Sequence, residues 1–88
     1  MQAKHILLKT PLLVPTILQA LEQGADFSQL AREHSACISA KKGGDWGVLD
    51  QRALPSNILE ALDTAQLGEV IGPIESRHGL HIIKLEQV

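Results

Sequence analysis

Short apolar runs bounded by charge, glycine or proline predict four β-strands in this sequence. They cover Lys4–Lys9, Asp45–Asp50, Val70–Ile74 and Gly79–Leu85. Their lengths and boundaries are typical of strands, although Gly72 and Pro73 mark the third run as an edge strand or a bulge. Because side chains alternate along a strand, each run has two faces. The predicted faces join His5 with Leu7, Ile6 with Leu8, and His81 with Ile83 and Leu85.

Apolar residues three and four positions apart predict three helices. The first is expected from about Pro15 to Gln23, since proline suits the first turn of a helix. Asp26 is followed three residues later by Gln29, a capping-box pattern that predicts the start of the second helix, and Pro55 opens the third. The residues predicted to share one face are Ile17, Leu18 and Leu21 in the first helix and Phe27, Leu30, Ala31 and His34 in the second. In the third helix Ile58, Leu59 and Leu62 are predicted to face inward. The order β-α-α-β-α-β-β predicts an α+β domain with a four-stranded, mainly antiparallel sheet and surrounding helices.

Composition supports one small globular domain over residues 1–88. Of the 88 residues, 44% are hydrophobic and 20% are charged, which is ordinary for a globular protein. Phe27 and Trp46 are the only aromatic residues, so the core must be built from Leu, Ile, Val and Ala. The formal net charge is −2, and no basic stripe carries interleaved aromatic residues. Nucleic acid is therefore not expected as a partner.

The sequence also limits the expected compartment. No apolar run approaches the roughly 18 residues that a membrane span requires, and the N-terminus lacks the apolar region and cleavage site of a signal peptide. The single cysteine, Cys37, cannot form a disulfide within the chain, which suits a reducing compartment. The cytoplasm is the default expectation. A periplasmic or membrane-anchored location is the alternative if the sequence is a domain excised from a longer protein.

Reactive side chains are concentrated in the stretch His34–Gly47, which holds the only cysteine, the only tryptophan and three of the seven glycines. Four histidines and one cysteine lack the tight spacing of a structural zinc site, so no metal is expected. A Cys-His hydrolase is disfavoured because no orienting third group or oxyanion hole is evident. His5 and His81 each begin an apolar run. If their strands are neighbours, the two imidazoles meet in the sheet beneath the Cys37 loop.

Several motifs stand in order along the sequence. They are Lys-His-Ile-Leu near the N-terminus, Ala-Asp-Phe-x-x-Leu-Ala (Ala25–Ala31) followed by His-Ser, Cys-x-Ser-Ala-Lys-x-Gly-Gly-Asp-x-Gly (Cys37–Gly47), and the closing Gly-Pro-Ile…His-Gly-Leu-His-Ile-Ile-Lys. Over nearly the whole chain they resemble the parvulin family of peptidyl-prolyl cis/trans isomerases. The resemblance implies an enzyme that isomerises X-Pro bonds of unfolded or extended polypeptide without a cofactor. It implies that His5 and His81 form a hydrogen-bonded catalytic pair, with Cys37 and Ser39 above them on the side of the substrate carbonyl.

The resemblance also implies a substrate pocket, and here the sequence departs from the family. The implied substrate-binding residues are Trp46, Ala53, Leu54, Asn57 and His78. Ala53 and Asn57 stand where the family usually has a methionine or leucine and a phenylalanine, so apolar surface for the proline ring is lost. Trp46 replaces a common leucine, and for it core packing and substrate contact remain open alternatives.

Two functions follow from these expectations. Phosphate-directed parvulins carry a basic cluster after the first strand, whereas here that loop is apolar behind Lys9, so phosphoserine-proline specificity is not expected. The leading hypothesis is a prolyl isomerase that assists protein folding. The alternative is a parvulin-fold module that binds polypeptide without appreciable catalysis, as part of a chaperone.

Overall fold

The computed structural model describes residues 2–48 and 54–87, and its elements follow the predicted order. The strands are β1 (Gln2–Leu8), β2 (Asp45–Val48), β3 (Val70–Ser76) and β4 (Gly79–Gln87). The helices are α1 (Val14–Glu22), α2 (Phe27–His34) and α3 (Ser56–Thr64), with short 3-10 helices at Pro11–Leu13 and Ile38–Lys42. The α+β prediction is confirmed. Three strands extend further than predicted, and the predicted end of β2 lies outside the described residues.

Local sequence explains the helix boundaries. Asp26 caps α2 as predicted, because its carboxylate accepts a hydrogen bond from the backbone N–H of Gln29 at 3.2 Å. Pro15 lies in the first turn of α1, where its missing N–H costs no hydrogen bond. His34, predicted to share a helical face with Phe27 and Ala31, lies in the last turn of α2 and is exposed, whereas those two residues are buried.

The sheet is antiparallel throughout, with strand order β2-β1-β4-β3. The first and last strands of the sequence are therefore its central pair. In their register His5 lies opposite Ile83, and Leu7 lies opposite His81. His5 and His81 are consequently diagonal neighbours, close enough for side-chain contact across the pair.

The alternation predicted for β1 and β4 divides the core between the two faces of the sheet. One buried cluster, packed under α1 and α2, comprises Ile6, Leu8, Val14, Ile17, Phe27, Ala31 and Ile82. The other, packed under α3, comprises Ala3, Ile58, Leu62, Ile83 and Leu85. The two histidines alternate onto the α3 face. No helix in the described ranges is long and apolar enough to cross a membrane.

The segment between α2 and β2 is hydrogen-bonded to β1 on the side away from β4. The Ser35 hydroxyl accepts a hydrogen bond from the backbone N–H of Leu7 at 3.0 Å, and the carbonyl of Leu7 accepts one from Ala36 at 2.8 Å. Further along, the carbonyl of Gly44 accepts from the N–H of His5 at 2.9 Å. These bonds hold the loop that carries Cys37 and Ser39 against the strand that carries His5.

Candidate active site

The structure brings the two predicted histidines together in the sheet interior. Their Nδ1 atoms face each other across 3.4 Å, and their rings are nearly parallel, with centroids 5.6 Å apart and planes 16° apart. The exposed fractions of His5 and His81 are only 1% and 4%. The pair is thus buried, and each imidazole must find its hydrogen bonds within the protein.

A serine hydroxyl lies at each end of the pair. Ser39 Oγ is 3.0 Å from His5 Nε2, and Ser76 Oγ is 2.7 Å from His81 Nε2. We call these four residues the imidazole network. It runs across the sheet from the 3-10 helix Ile38–Lys42 to the end of β3, and all four ring nitrogens have a partner.

Ser76 is a residue that the sequence reasoning missed. The predicted third strand ended at Ile74, whereas β3 continues to Ser76 and turns into β4 through two residues. Ser76 lies opposite Gly79, which makes His81 its diagonal neighbour on the same face. A tight hairpin register, read from Ser76-Arg-His-Gly79, is the signal that would have found it.

Proton counting restricts the state of the imidazole network. A neutral imidazole carries one N–H, so the two rings supply two protons to three contacts, and one serine hydroxyl must supply the third. If Ser76 donates to His81, then His81 donates to His5 and His5 donates to Ser39. In that direction the hydroxyl proton of Ser39 is free to bond a substrate, and in the opposite direction that of Ser76 is free.

Burial keeps this network neutral. It lowers the pKa of His5 from 6.5 to about 4, with a smaller contribution from the neighbouring His81. The pKa of His81 is also lowered, first by burial and then by the positive charges of His78 and Lys9. Both imidazoles are therefore uncharged at neutral pH, which is the state that the proton count assumes.

Trp46 covers one face of the imidazole network. Its ring is stacked on His5 with centroids 3.8 Å apart and planes 20° apart, and it is tilted over His81 at 5.9 Å. The same side chain packs against the core cluster under α3. Core packing is thus one of its roles, while direct contact with substrate stays a prediction.

Cys37 lies near the start of the loop that carries Ser39. It immediately precedes the 3-10 helix that carries Ser39, its residue is partly buried, and its backbone N–H donates to the hydroxyl of Ser35 at 3.4 Å. Ser39 is the loop residue that bonds the imidazole pair. A catalytic role for Cys37 stays a prediction.

The predicted substrate residues are distributed less compactly. Leu54 is partly buried against the core under α3, and Ala53 lies outside the described residues. Asn57 is exposed, but its side-chain amide donates to the carbonyl of Glu75 at 2.6 Å, so it joins α3 to β3. At that position the departure from phenylalanine gives a structural hydrogen bond instead of an apolar surface.

His78 lies apart from those residues, at the turn between β3 and β4. Its N–H donates to the hydroxyl of Ser76 at 3.1 Å, and its carbonyl accepts from Lys9 Nζ at 2.7 Å. An open cavity of about 560 Å³ is lined by His78, Lys9 and Ser76, among other residues of this turn. It gives the outer end of the imidazole network an approach from solvent. Within the described residues no group of three or more His, Cys, Asp or Glu is arranged to hold a metal ion.

Comparison with known proteins gives one consistent result. The family described as Rotamase, PPIC-type PPIASE domain, matches residues 5–87. The chain is 40% identical over 88 residues to the foldase protein PrsA of Oceanobacillus iheyensis, covering 99% of this chain and 29% of that protein. It is 38% identical over 72 residues to the chaperone SurA of Vibrio vulnificus, covering 82% of this chain and 17% of that one.

A solved structure of similar size supports the same relationship. The solution structure of NmPin, the parvulin of Nitrosopumilus maritimus, superposes with a TM-score of 0.85 at 34% identity. The match covers 99% of this chain and 95% of that one. The two bacterial relatives are longer, so the chain spans less than a third of their length.

Proposed function

Because the chain belongs to the PPIC-type, or parvulin, family of peptidyl-prolyl cis/trans isomerases, we propose that it accelerates rotation about X-Pro bonds in unfolded or extended polypeptide. The observation that carries this proposal is the buried, neutral imidazole network with a hydroxyl at each end. Such an arrangement holds hydrogen-bond donors in fixed positions. It suits a reaction in which no bond is made or broken.

The chemistry needs little more than such donors. Rotation about a peptide bond faces a barrier of roughly 18–20 kcal/mol, because the C–N bond has partial double-bond character, and X-Pro bonds exchange over tens to hundreds of seconds. A twisted amide loses that resonance and is less polar than the planar one. A hydroxyl of Ser39 that donates to the prolyl nitrogen, on which the twist localises the lone pair, stabilises the twisted state. The imidazole network holds that hydroxyl in place, so no cofactor is required.

Exposed apolar residues near the loops of the site favour polypeptide as the partner. Ile38 stands between Cys37 and Ser39 and is 85% exposed. Leu12, after β1, is 82% exposed, whereas Val14 is buried. The apolar segment after β1 therefore does not pack down entirely, and Leu12 is available to an extended, apolar chain. We propose no phosphate preference, in keeping with this loop.

The decisive experiment is an NMR exchange assay on short peptides that contain one X-Pro bond. We expect cis/trans exchange to become measurable at catalytic concentrations of the protein, and Ser39→Ala to reduce the rate strongly. A cis/trans exchange rate that stays unchanged at high protein concentration would refute the isomerase proposal. If the same peptides nevertheless bind saturably at the imidazole network, the alternative function as a polypeptide-binding module is supported.

That alternative has its own support in the relatives, since one is called a foldase and the other a chaperone. Asn57 adds to it, because a side chain bonded to β3 offers little apolar surface for a proline ring. In both functions the partner is a proline-containing polypeptide. The compartment stays a prediction.

Replacement of Cys37 tests whether the thiol attacks the substrate. We propose an electrostatic role, so Cys37→Ser should lower kcat/KM by about tenfold or less, since a hydroxyl still offers a polar group at that place. The measurement is the exchange rate on the same X-Pro peptides, with Cys37→Ala as the matched variant that offers no such group. Complete loss in Cys37→Ser, with the fold intact by circular dichroism, would favour a nucleophilic thiolate.

A further inference from the structure

The position of Trp46 suggests a role that the resemblance does not supply. His5 is bonded along one edge by His81 and along the other by Ser39. One face of its ring is covered by the indole, stacked at 3.8 Å and nearly parallel. Both edges and one face are thus closed by protein, and the exposed fraction of the residue is 1%.

We propose that Trp46 is a positioning residue that shields the imidazole network from water and so keeps the His5 imidazole uncharged in mildly acidic conditions. It acts through His5 and needs no contact with substrate. The effect on the His5 imidazole is independent of catalysis. Its consequence for turnover rests on the proposed isomerase function.

The physical direction follows from the balance of two opposing effects. An imidazolium stacked on an indole gains cation–π attraction, which favours the charged form. Removal from water disfavours the charged form, and burial is the largest cause of the lowered pKa of His5. The net result is therefore a shielded, neutral ring, and opening the indole face must move the pKa of His5 back toward 6.5.

Other groups around the network have to be separated from this effect. His81 on β4 lowers the pKa of His5, and Lys9 and His78 lower that of His81. The hydroxyls of Ser39 and Ser76 are uncharged partners. The acidic residues Asp45 and Glu75 precede Trp46 and Ser76 along β2 and β3, and alternation directs them to the opposite face of the sheet. All of these groups remain in a Trp46 variant. A change in the pKa of His5 in that variant therefore reports the loss of the indole that covers the ring.

The test is an NMR titration of the His5 ring protons in the wild type, Trp46→Phe and Trp46→Leu. We expect the midpoint of His5 to rise by about one pH unit or more in Trp46→Leu, a tenfold change in proton affinity, and by less in Trp46→Phe, which keeps a smaller ring. Exposed His34 is the internal control in every spectrum. Ile58→Val thins the same core without removing the ring, and it should leave the midpoint of His5 in place.

An unchanged midpoint of His5 in folded Trp46→Leu would overturn the proposal. If that variant does not fold, the wild type still tests the stacking on which the proposal depends. Trp46 is the only tryptophan, and an imidazolium stacked on it quenches its fluorescence. We expect the fluorescence to fall, as the pH is lowered, with the same midpoint as the titration of His5. A fluorescence that does not follow this titration contradicts the stacking.

Kinetics then separate positioning from substrate contact. Protonation places a charge, with its hydration, in a site that must desolvate an amide, so kcat/KM should fall as the pair is protonated. In Trp46→Leu that fall should move to higher pH together with the midpoint of His5. A uniform loss at every pH, with an unmoved midpoint, would make Trp46 a substrate contact and refute the positioning role. A moved midpoint in a protein without isomerase activity would leave the shielding intact and refute only the proposed function.

Discussion

Replacement of either buried histidine by alanine should lower the free energy of unfolding by about 2–4 kcal/mol, through a lost hydrogen bond and a small cavity. His81→Ala leaves His5 Nδ1 without the partner that now lies 3.4 Å away. It also leaves the hydroxyl of Ser76 without its closest contact at 2.7 Å. His5→Ala in the same way leaves His81 Nδ1 and the hydroxyl of Ser39 without their partner. Urea unfolding followed by circular dichroism measures both.

The double variant makes this prediction specific to the pair. Once both imidazoles are gone, no buried ring is left unsatisfied, so His5→Ala/His81→Ala should cost less than the sum of the two single changes. His34→Ala, at the exposed end of α2, should change stability by no more than about 0.5 kcal/mol. If both single variants unfold at the same urea concentration as the wild type, the buried pair is refuted. All variants that lack either ring should also lose isomerase activity, since the hydroxyl of Ser39 is then no longer held.

The elements of the fold that could be predicted are those encoded by local pattern. The alternation of Ile6 and Leu8 against His5 predicted the two faces of β1, and the structure distributes the two core clusters in that way. Asp26 with Gln29 predicted the start of α2 for an equally local reason, a side-chain bond to a nearby N–H. Such features depend on residues within one turn or one strand, so a single sequence contains them.

What could not be predicted depends on register and on packing between distant segments. Ser76 joins the network only because the hairpin turn sets its position relative to His81. The stacking of Trp46 on His5 depends on where β2 pairs with β1, which no local pattern specifies. Asn57 bonds to the backbone of Glu75 across α3 and β3, although helix-start chemistry explains its residue type equally well. In each case the side chain was visible in the sequence and its partner was not.

Gly44 is a position where one added methyl group should have a large effect on the backbone of the site. Its φ is +82°, a left-handed conformation that costs a side-chain-bearing residue roughly 1–2 kcal/mol. A Cβ there would lie 2.5 Å from the carbonyl oxygen of His5 and 2.9 Å from Cβ of Ala31. Neither neighbour can yield easily, since one is the backbone of a central strand and the other is a fully buried side chain of α2. We expect Gly44→Ala to lower the free energy of unfolding by about 3–5 kcal/mol, adding overpacking to the conformational cost.

Gly68 provides the matched control for that change. Its φ is +80°, nearly the same, but a Cβ there meets nothing within 4 Å. Gly68→Ala therefore carries the conformational cost alone, about 1–2 kcal/mol, and the difference between the two variants measures the close approach of the loop to β1. Gly44 also accepts the N–H of His5 at 2.9 Å, so relief of the clash must move His5 relative to Ser39. Gly44→Ala should consequently lose isomerase activity even in the fraction that remains folded, whereas Gly68→Ala should keep it. Equal losses of stability in the two variants would mean that the loop can withdraw from β1 freely, and the imidazole network would then lack the fixed wall on which the proposed chemistry depends.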